Sequence, residues 1–413
     1  MVSDKLKGLY KISIGFIIVF VAIVSCKQVK TENKDDVVEI KEMVISDTLK
    51  WSERMALSIM KRNPEAYQID GKTKPKWDYV HGLVLTSFEK LYKKTHHQKY
   101  YNYIKEYADV LIDSAGNIKT YKFSNYNIDM IEAGNILFEL YNTTKDEKYV
   151  KAMQLLRKQL AEQPRTSEGG FWHKKRYPSQ MWLDGLYMGE PFYTRYTVEF
   201  EDGKNLGDVA KQFELIQKHA LDSKTGLLYH GWDESKAMDW ANKETGTSPN
   251  FWSRSLGWYV MALVDVLDYF PKEHPKQQEL VGYLNQLAVA LTKYQDESGM
   301  WYQVTDMGGK EGNYLESTGT SMFAYALAKG VNKGYLPIEF KAIANKAFDG
   351  LTRDLIKVAD DGEITITQAC AVAGLGGNPY RDGSYEYYVN ERKKDNDPKA
   401  TGPFILAALE LDR

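Results

Sequence analysis

Cysteine is nearly absent: the 413 residues contain only Cys26 and Cys370. Such a chain has no disulfide framework, and nowhere do Cys and His fall at the spacing of a zinc site. An HExxH helix is missing, as are a phosphate-binding loop and a GxSxG elbow. The run Gly374-Leu375-Gly376-Gly377 lacks the strand and helix that a phosphate cradle needs and reads as a plain loop. Neither sign of charge dominates, with a net charge of −2 and no basic stripe, which excludes nucleic acid as the main partner. Long stretches of alternating apolar and polar residues are missing too, apart from short pieces near Tyr302 and at Ile364–Thr367. A core built from sheets is therefore excluded.

What the chain has in abundance is aromatic residues, 29 Tyr and 9 Trp. Their flat apolar faces with a polar handle suit sugar rings as well as protein cores.

The N-terminal segment reads separately from the rest. Lys5, Lys7 and Lys11 precede the apolar run from Ile12 to Ser25, which is shorter than the roughly 20 residues that span a bilayer. Ile23-Val24-Ser25-Cys26 resembles the bacterial lipobox. That resemblance implies lipidation of Cys26 and anchoring to a bacterial membrane, the outer membrane or one facing the periplasm, and no cytoplasmic location. The polar, aperiodic residues that follow read as a tether. The expected organisation is a signal peptide at 1–25, a lipidated Cys and tether at 26–45, and one large domain at 46–413. Cys370, left alone, reads as an inert buried thiol.

Within that domain apolar residues recur at three- and four-residue spacing near 48–62, 79–94, 98–113, 128–142, 147–162, 181–197, 205–221, 252–269, 276–295, 317–332, 338–357 and 402–411. This pattern predicts about twelve amphipathic helices. Links alternate between short ones, such as Thr95–Gln98 and Thr143–Glu147, and long ones rich in Gly, Pro, Trp and Tyr, such as 163–180 and 222–251. Short links make helical hairpins, and the alternation collects every long link at one end. Six hairpins closing on themselves give an all-α (α/α)6 toroid with one elaborate mouth.

Residues at the start of each helix after a long link then converge on that mouth. They include Trp77, Tyr79 and His81; Asn127 and Asp129; Met181, Trp182 and Asp184; and Trp252, Arg254 and Trp258, with His230 in the fourth long link. Asp184 and Asp129 form the pair of carboxylates that glycoside cleavage uses. Flanked by Met, Trp, Leu and Tyr, Asp184 is expected to be poorly solvated, which raises a carboxyl pKa and readies its proton. Arg254, between two tryptophans, has the fork that would grip a substrate carboxylate. His230 suits a proton shuttle or a hydroxyl ligand. Lys174, Lys175 and Arg176 read as a solvated basic loop.

Met181-Trp182-Leu183-Asp184-Gly185-Leu186-Tyr187-Met188, with Pro191-Phe192 after it, resembles the signature of glycoside hydrolase family 105. The likeness runs through Gly170-Phe171-Trp172-His173, Leu228-Tyr229-His230-Gly231-Trp232, Phe251-Trp252-Ser253-Arg254 with Gly257-Trp258, Asn313-Tyr314-Leu315-Glu316-Ser317 and Gly402-Pro403-Phe404. It departs at Ser255 and Leu256, where many members carry Gly-Asn, a difference that bears on local substrate contacts and not on the class.

The resemblance implies an (α/α)6 barrel and hydration of the C4=C5 double bond that a polysaccharide lyase leaves on a terminal uronic acid. The product oligosaccharide would come from a uronyl-rhamnose polymer, ulvan or rhamnogalacturonan. It implies Asp184 as general acid/base, Asp129 as second carboxylate, and substrate contacts from Tyr79, Trp182, His230, Trp252, Arg254 and Trp258. No metal or organic cofactor and no obligate protein partner is expected. A non-catalytic oligosaccharide-binding lipoprotein, or an unsaturated glucuronyl hydrolase for other polysaccharides, are the alternatives.

Overall fold

The computed structural model describes residues 43–413. Cys26 and nearly all of the expected tether lie outside the described residues. Among the described residues no helix is long and apolar enough to cross a membrane.

The described residues begin with helix α1 (Trp51–Arg62) and continue through α2 (Tyr79–Thr95) and α3 (Gln98–Leu111). Next come α4 (Asp129–Glu132), α5 (Asn135–Thr144) and α6 (Glu147–Glu162), then α7 (Leu183–Phe200) and α8 (Leu206–Ala220). The second half adds α9 (Ser253–Leu267), α10 (Gln277–Thr292), α11 (Ser317–Asn332), α12 (Phe340–Gly350), the short α13 (Tyr385–Asn390) and α14 (Pro398–Leu411). In one closed ring α2 packs on α4 and α5, α4 on α7, α7 on α9, α9 on α11, α11 on α14, and α14 back on α2. The remaining long helices stand outside this ring, each against an inner one, and α1 packs on α14. The architecture is the (α/α)6 barrel.

Sequence explains which ring each helix joins. On α10 the buried residues Leu280, Leu284, Leu287 and Leu291 mark a single stripe, while Val289 is exposed. One buried face suits an outer helix. On α9 every residue from Ser253 to Val264 is buried, because α7 and α11 flank it in the inner ring and α10 covers it from outside. Gly257 lets α9 and α11 come close: a Cβ there would stand 2.6 Å from Met322 Sδ on α11.

Several helix starts are capped by side chains that supply an acceptor to orphan N–H groups. Asp146 accepts from Lys148 N, Glu316 from Gly319 N, and Asp397 from Lys399 N with Pro398 at the first turn.

Three two-stranded antiparallel pairs, with strands two or three residues long, decorate the barrel among the described residues. Strand β1 (Gln180–Trp182) pairs antiparallel with β2 (Gly231–Asp233), Met181 opposite Trp232, tying the third long link to the fourth. Strands β3 (Ile356–Val358) and β4 (Ile364–Ile366) form the piece expected near Ile364. Strands β5 (Ala369–Cys370) and β6 (Lys393–Lys394) frame the last long link.

Three boundaries differ from expectation. The helix expected at 128–142 is split between α4 and α5 around Ala133 and Gly134. The helix expected at 338–357 is α-helical from Phe340 to Gly350, continues as a π-helical turn over Leu351–Leu355, and ends where Ile356 is drawn into pairing with β4. The tether expected to reach residue 45 ends sooner. Ile45 is buried, its N–H donates to Asp361 O at 2.8 Å, and Met43 O accepts from Lys61 Nζ at 2.8 Å. The packed domain therefore reaches back to Met43.

Candidate active site

Backbone hydrogen bonds lace the long links together at the mouth. Ile128 N donates to His173 O at 3.2 Å, His173 N to Gln180 O at 2.8 Å, and Leu183 N to His230 O at 3.0 Å. This lacing brings Asp129, on the first turn of α4, and Asp184, on the first turn of α7, to one end of the barrel beside His173 and His230.

Asp129 is nearly buried, with one oxygen bonded and the other close to a histidine but without an aligned donor. Oδ1 lies 3.2 Å from His173 Nε2, and Oδ2 pairs with Lys174 Nζ. The lysine that reads as part of a solvated loop is thus the direct partner of a carboxylate. Its neighbours Lys175 and Arg176 are exposed as expected, over the rings of Tyr126 and Tyr177.

Asp184 is less enclosed, its side chain 16% exposed. Oδ2 lies 3.1 Å from Nε2 of the fully buried His230, in an approach too oblique for an aligned hydrogen bond. On its far side His230 Nδ1 meets the Tyr388 hydroxyl at 2.7 Å. Tyr388 comes from α13, in a link where no sequence signal marked it. The expectation of a raised Asp184 pKa is corrected here. Burial pushes the carboxyl up, but His230 foremost, with Arg254 in the same sense, outweighs it and holds Asp184 below the usual carboxylate range.

Arg254 is 1% exposed and donates from Nη1 to Cys370 O at 2.6 Å, while its Nε has no partner. Burial disfavours its charge, yet Cys370, Asp397 and Glu316 keep it above its ordinary range and so firmly cationic. The guanidinium lies over the Trp252 ring at 4.7 Å. Cys370 is buried as expected, its thiol pushed up to about 11 by burial.

The tryptophans expected to stack on sugar already carry protein rings. Trp182 stacks on His173 at 4.5 Å and Tyr177 at 4.9 Å, Trp252 on Tyr388 at 5.8 Å, and Trp258 on Tyr187 at 5.0 Å. All three are at least 96% buried, so they build the walls behind the carboxylates. Tyr79 stays half-buried, edge-on to Trp258 at 6.4 Å, with Asp129 and Arg254 near enough to act on its hydroxyl. Ser255 and Leu256, the departures from the family pattern, are both fully buried, and Ser255 Oγ donates to Trp252 O at 2.8 Å. The departure lies in packing beneath the tryptophans.

Comparison with known proteins identifies the family. The sequence model of Glycosyl Hydrolase Family 88 matches residues 51–413. A solved family 105 glycoside hydrolase from C. acetobutylicum is 46% identical, with a TM-score of 0.84 over 88% of this chain and 99% of that one. Protein Atu3128 of Agrobacterium fabrum is 35% identical over 229 residues, 54% of this chain and 97% of its own. The unsaturated rhamnogalacturonyl hydrolase YesR of Bacillus subtilis is 26% identical over 316 residues, 75% of this chain and 84% of its own. The chain belongs to Glycosyl Hydrolase Family 88 and, within that likeness, to the family 105 hydrolases.

Proposed function

We propose that the protein releases a 4,5-unsaturated uronic acid from the non-reducing end of lyase-generated uronyl-rhamnose oligosaccharides. The observation that carries this reading is the pair of carboxylates on the first turns of α4 and α7, one locked in an ion pair and the other facing only a histidine and solvent. The name of the Bacillus subtilis relative supports the class of sugar.

The unsaturated sugar is an enol ether. Asp184 transfers its proton to C4, and the positive charge that develops at C5 is shared with the ring oxygen. Water adds at C5 and gives its proton to the Asp184 carboxylate, which restores the acid. The resulting hemiketal opens: the bond between C5 and the ring oxygen breaks, leaving a ketone at C5 and a hemiacetal at C1. That hemiacetal expels the remaining oligosaccharide as an alcohol. In the free protein His230 holds Asp184 below its usual range. A bound uronate adds negative charge at the mouth and displaces water, and both effects push Asp184 back toward its protonated form. Arg254, cationic and with a free Nε–H, provides the field that draws the substrate carboxylate in.

A panel of lyase-treated rhamnogalacturonan, ulvan and glycosaminoglycan tests the proposal by loss of ultraviolet absorbance, since hydration destroys the conjugated acid. Loss on a uronyl-rhamnose substrate is expected. Tight binding with no loss on any of the three, unchanged by Asp184→Asn, would instead establish a sugar-binding protein.

The same proposal places the enzyme on a bacterial membrane through Cys26. A bilayer-anchored protein fractionates with membranes and leaves them with detergent, not salt. Cys26→Ser should block lipidation and the processing that depends on it, whereas a chain that begins at Met43 should be soluble with unchanged turnover. Native protein found soluble, with a mature N-terminus other than Cys26, would overturn the anchor and leave the chemistry untouched.

A further inference from the structure

Behind the carboxylates lies a cavity of about 10 Å³ whose walls include His173, Glu190, Gln212, Trp182 and Gly185, all of them buried. That volume is at the lower bound of what admits one water molecule. Two polar atoms on this wall have no hydrogen-bond partner: Nδ1 of His173, which is 3% exposed, and Oε2 of Glu190, which is 1% exposed. The His173 ring backs onto α7 here, since a Cβ on Gly185 would stand 3.2 Å from Nδ1. Gln212 is already committed, accepting from Phe171 N at 2.8 Å. An orphaned buried nitrogen and an orphaned buried carboxyl on one small cavity call for a shared partner, because each left alone costs its full desolvation.

We propose that Glu190 is a positioning residue: its carboxylic acid and one water in this cavity fix the tautomer of His173, so that Nδ1 accepts and Nε2 keeps the proton it presents to Asp129. Nε2 stands 3.2 Å from Oδ1 of Asp129, an oxygen without an aligned donor, so a small rotation of the ring or carboxylate completes the bond when Nε2 carries the proton. The charged surroundings fit. Burial and the neighbouring Asp208 push Glu190 well above the usual range, against the pull of Arg165, so it is a neutral acid able to donate. Burial and the Lys174 ammonium hold His173 well below the histidine range, with His230 and Arg176 in the same sense and Asp184 opposing, so it is a neutral ring whose tautomer has to be chosen. A neutral donor steadies Asp129 without placing a second cation beside Asp184.

The inference builds on the reading of Asp129 as part of the reacting site, but its first test does not use turnover. In uniformly 15N-labelled protein, with the His173 signal assigned by His173→Gln, the nitrogen shifts and couplings report which nitrogen carries the proton. The Nε2–H tautomer is expected in the wild type and in Glu190→Gln, whose amide still donates. Glu190→Leu should mix the tautomers. Kinetics on the same proteins should show kcat reduced about fivefold in Glu190→Leu, the worth of one neutral hydrogen bond, with KM held and Glu190→Gln near wild type. A wild-type proton on Nδ1 overturns the proposal even if Glu190→Leu fails to fold. So does a Glu190→Gln protein with the wild-type fold but the other tautomer, or an unchanged tautomer in folded Glu190→Leu.

Discussion

The two carboxylates of the mouth sit on equivalent turns of neighbouring inner helices, and the structure treats them differently. Asp129 has a cation on one oxygen and a histidine at the other, and its side chain is 10% exposed. Asp184 has no lysine, a single histidine at 3.1 Å and a side chain 16% exposed. The difference assigns their work. A carboxylate in an ion pair with a nearly enclosed lysine is a fixed charge that organises its neighbours. One facing a titratable group and solvent is able to gain and lose a proton during a reaction cycle.

The strongest way to break that comparison is to neutralise each carboxylate in turn. Asp184→Asn should lower kcat by roughly a thousandfold with the melting temperature nearly kept, since a positioned general acid contributes on the order of 10² to 10⁴. Asp129→Asn should also damage turnover, but by stranding Lys174, so Lys174→Gln in the same chain should restore part of the loss. The double substitution at 184 and 174 should restore nothing. A double-mutant cycle read by absorbance loss measures both couplings. If Lys174→Gln rescues Asp184→Asn and not Asp129→Asn, the roles are reversed.

The same contrast shows what sequence can and cannot carry. Apolar spacing located the hairpins because an outer helix such as α10 must bury one stripe and wet the other. The convergence of Asp129, Asp184, His230 and Arg254 followed from topology, since each stands where a long link ends or runs. Lys174 was misread because its role depends on the backbone bridge between Asn127 and Lys174, a contact between two links. Tyr388 was invisible for a similar reason, reaching His230 from 158 positions away. The rings that cover Trp182, Trp252 and Trp258 were not legible: which ring covers an indole is decided by packing between links, on which periodicity is silent. The Asp184 pKa also failed from sequence, since apolar neighbours along the chain argued for a rise while His230, distant in sequence, decided the sign.

Arg254 sharpens the comparison at intermediate size. It acts on Asp184 as a charge, yet it is also pinned to the Cys370 carbonyl. Arg254→Ala should therefore lower kcat/KM by roughly one to two orders of magnitude, the worth of a charge-assisted hydrogen bond, and also lower the melting temperature because a buried carbonyl loses its donor. Arg254→Lys keeps the charge but not the planar fork, so it should recover more of kcat/KM than of stability. Normal kinetics in a destabilised Arg254→Ala protein would make the residue purely structural.

The smallest effect expected is a displacement along the pH axis with little change in the maximum. His230 depresses the Asp184 pKa in the folded protein, so Asp184 takes up its proton only as pH falls through that lowered value. An acid that must be protonated then makes kcat/KM decline as pH rises, and the decline begins early. Replacing His230 with Asn removes the largest opposing interaction, burial gains the upper hand, and the pKa of Asp184 rises. The alkaline limb of kcat/KM should move to higher pH. Lys174→Gln acts on the other carboxylate, and Lys174 is not among the leading groups that set Asp184, so its limb should stay with the wild type. Profiles of kcat/KM against pH for the three proteins decide the matter. A limb that moves equally in both variants means the two carboxylates titrate as one coupled unit, and a limb that moves in neither means that the proton donor is not Asp184.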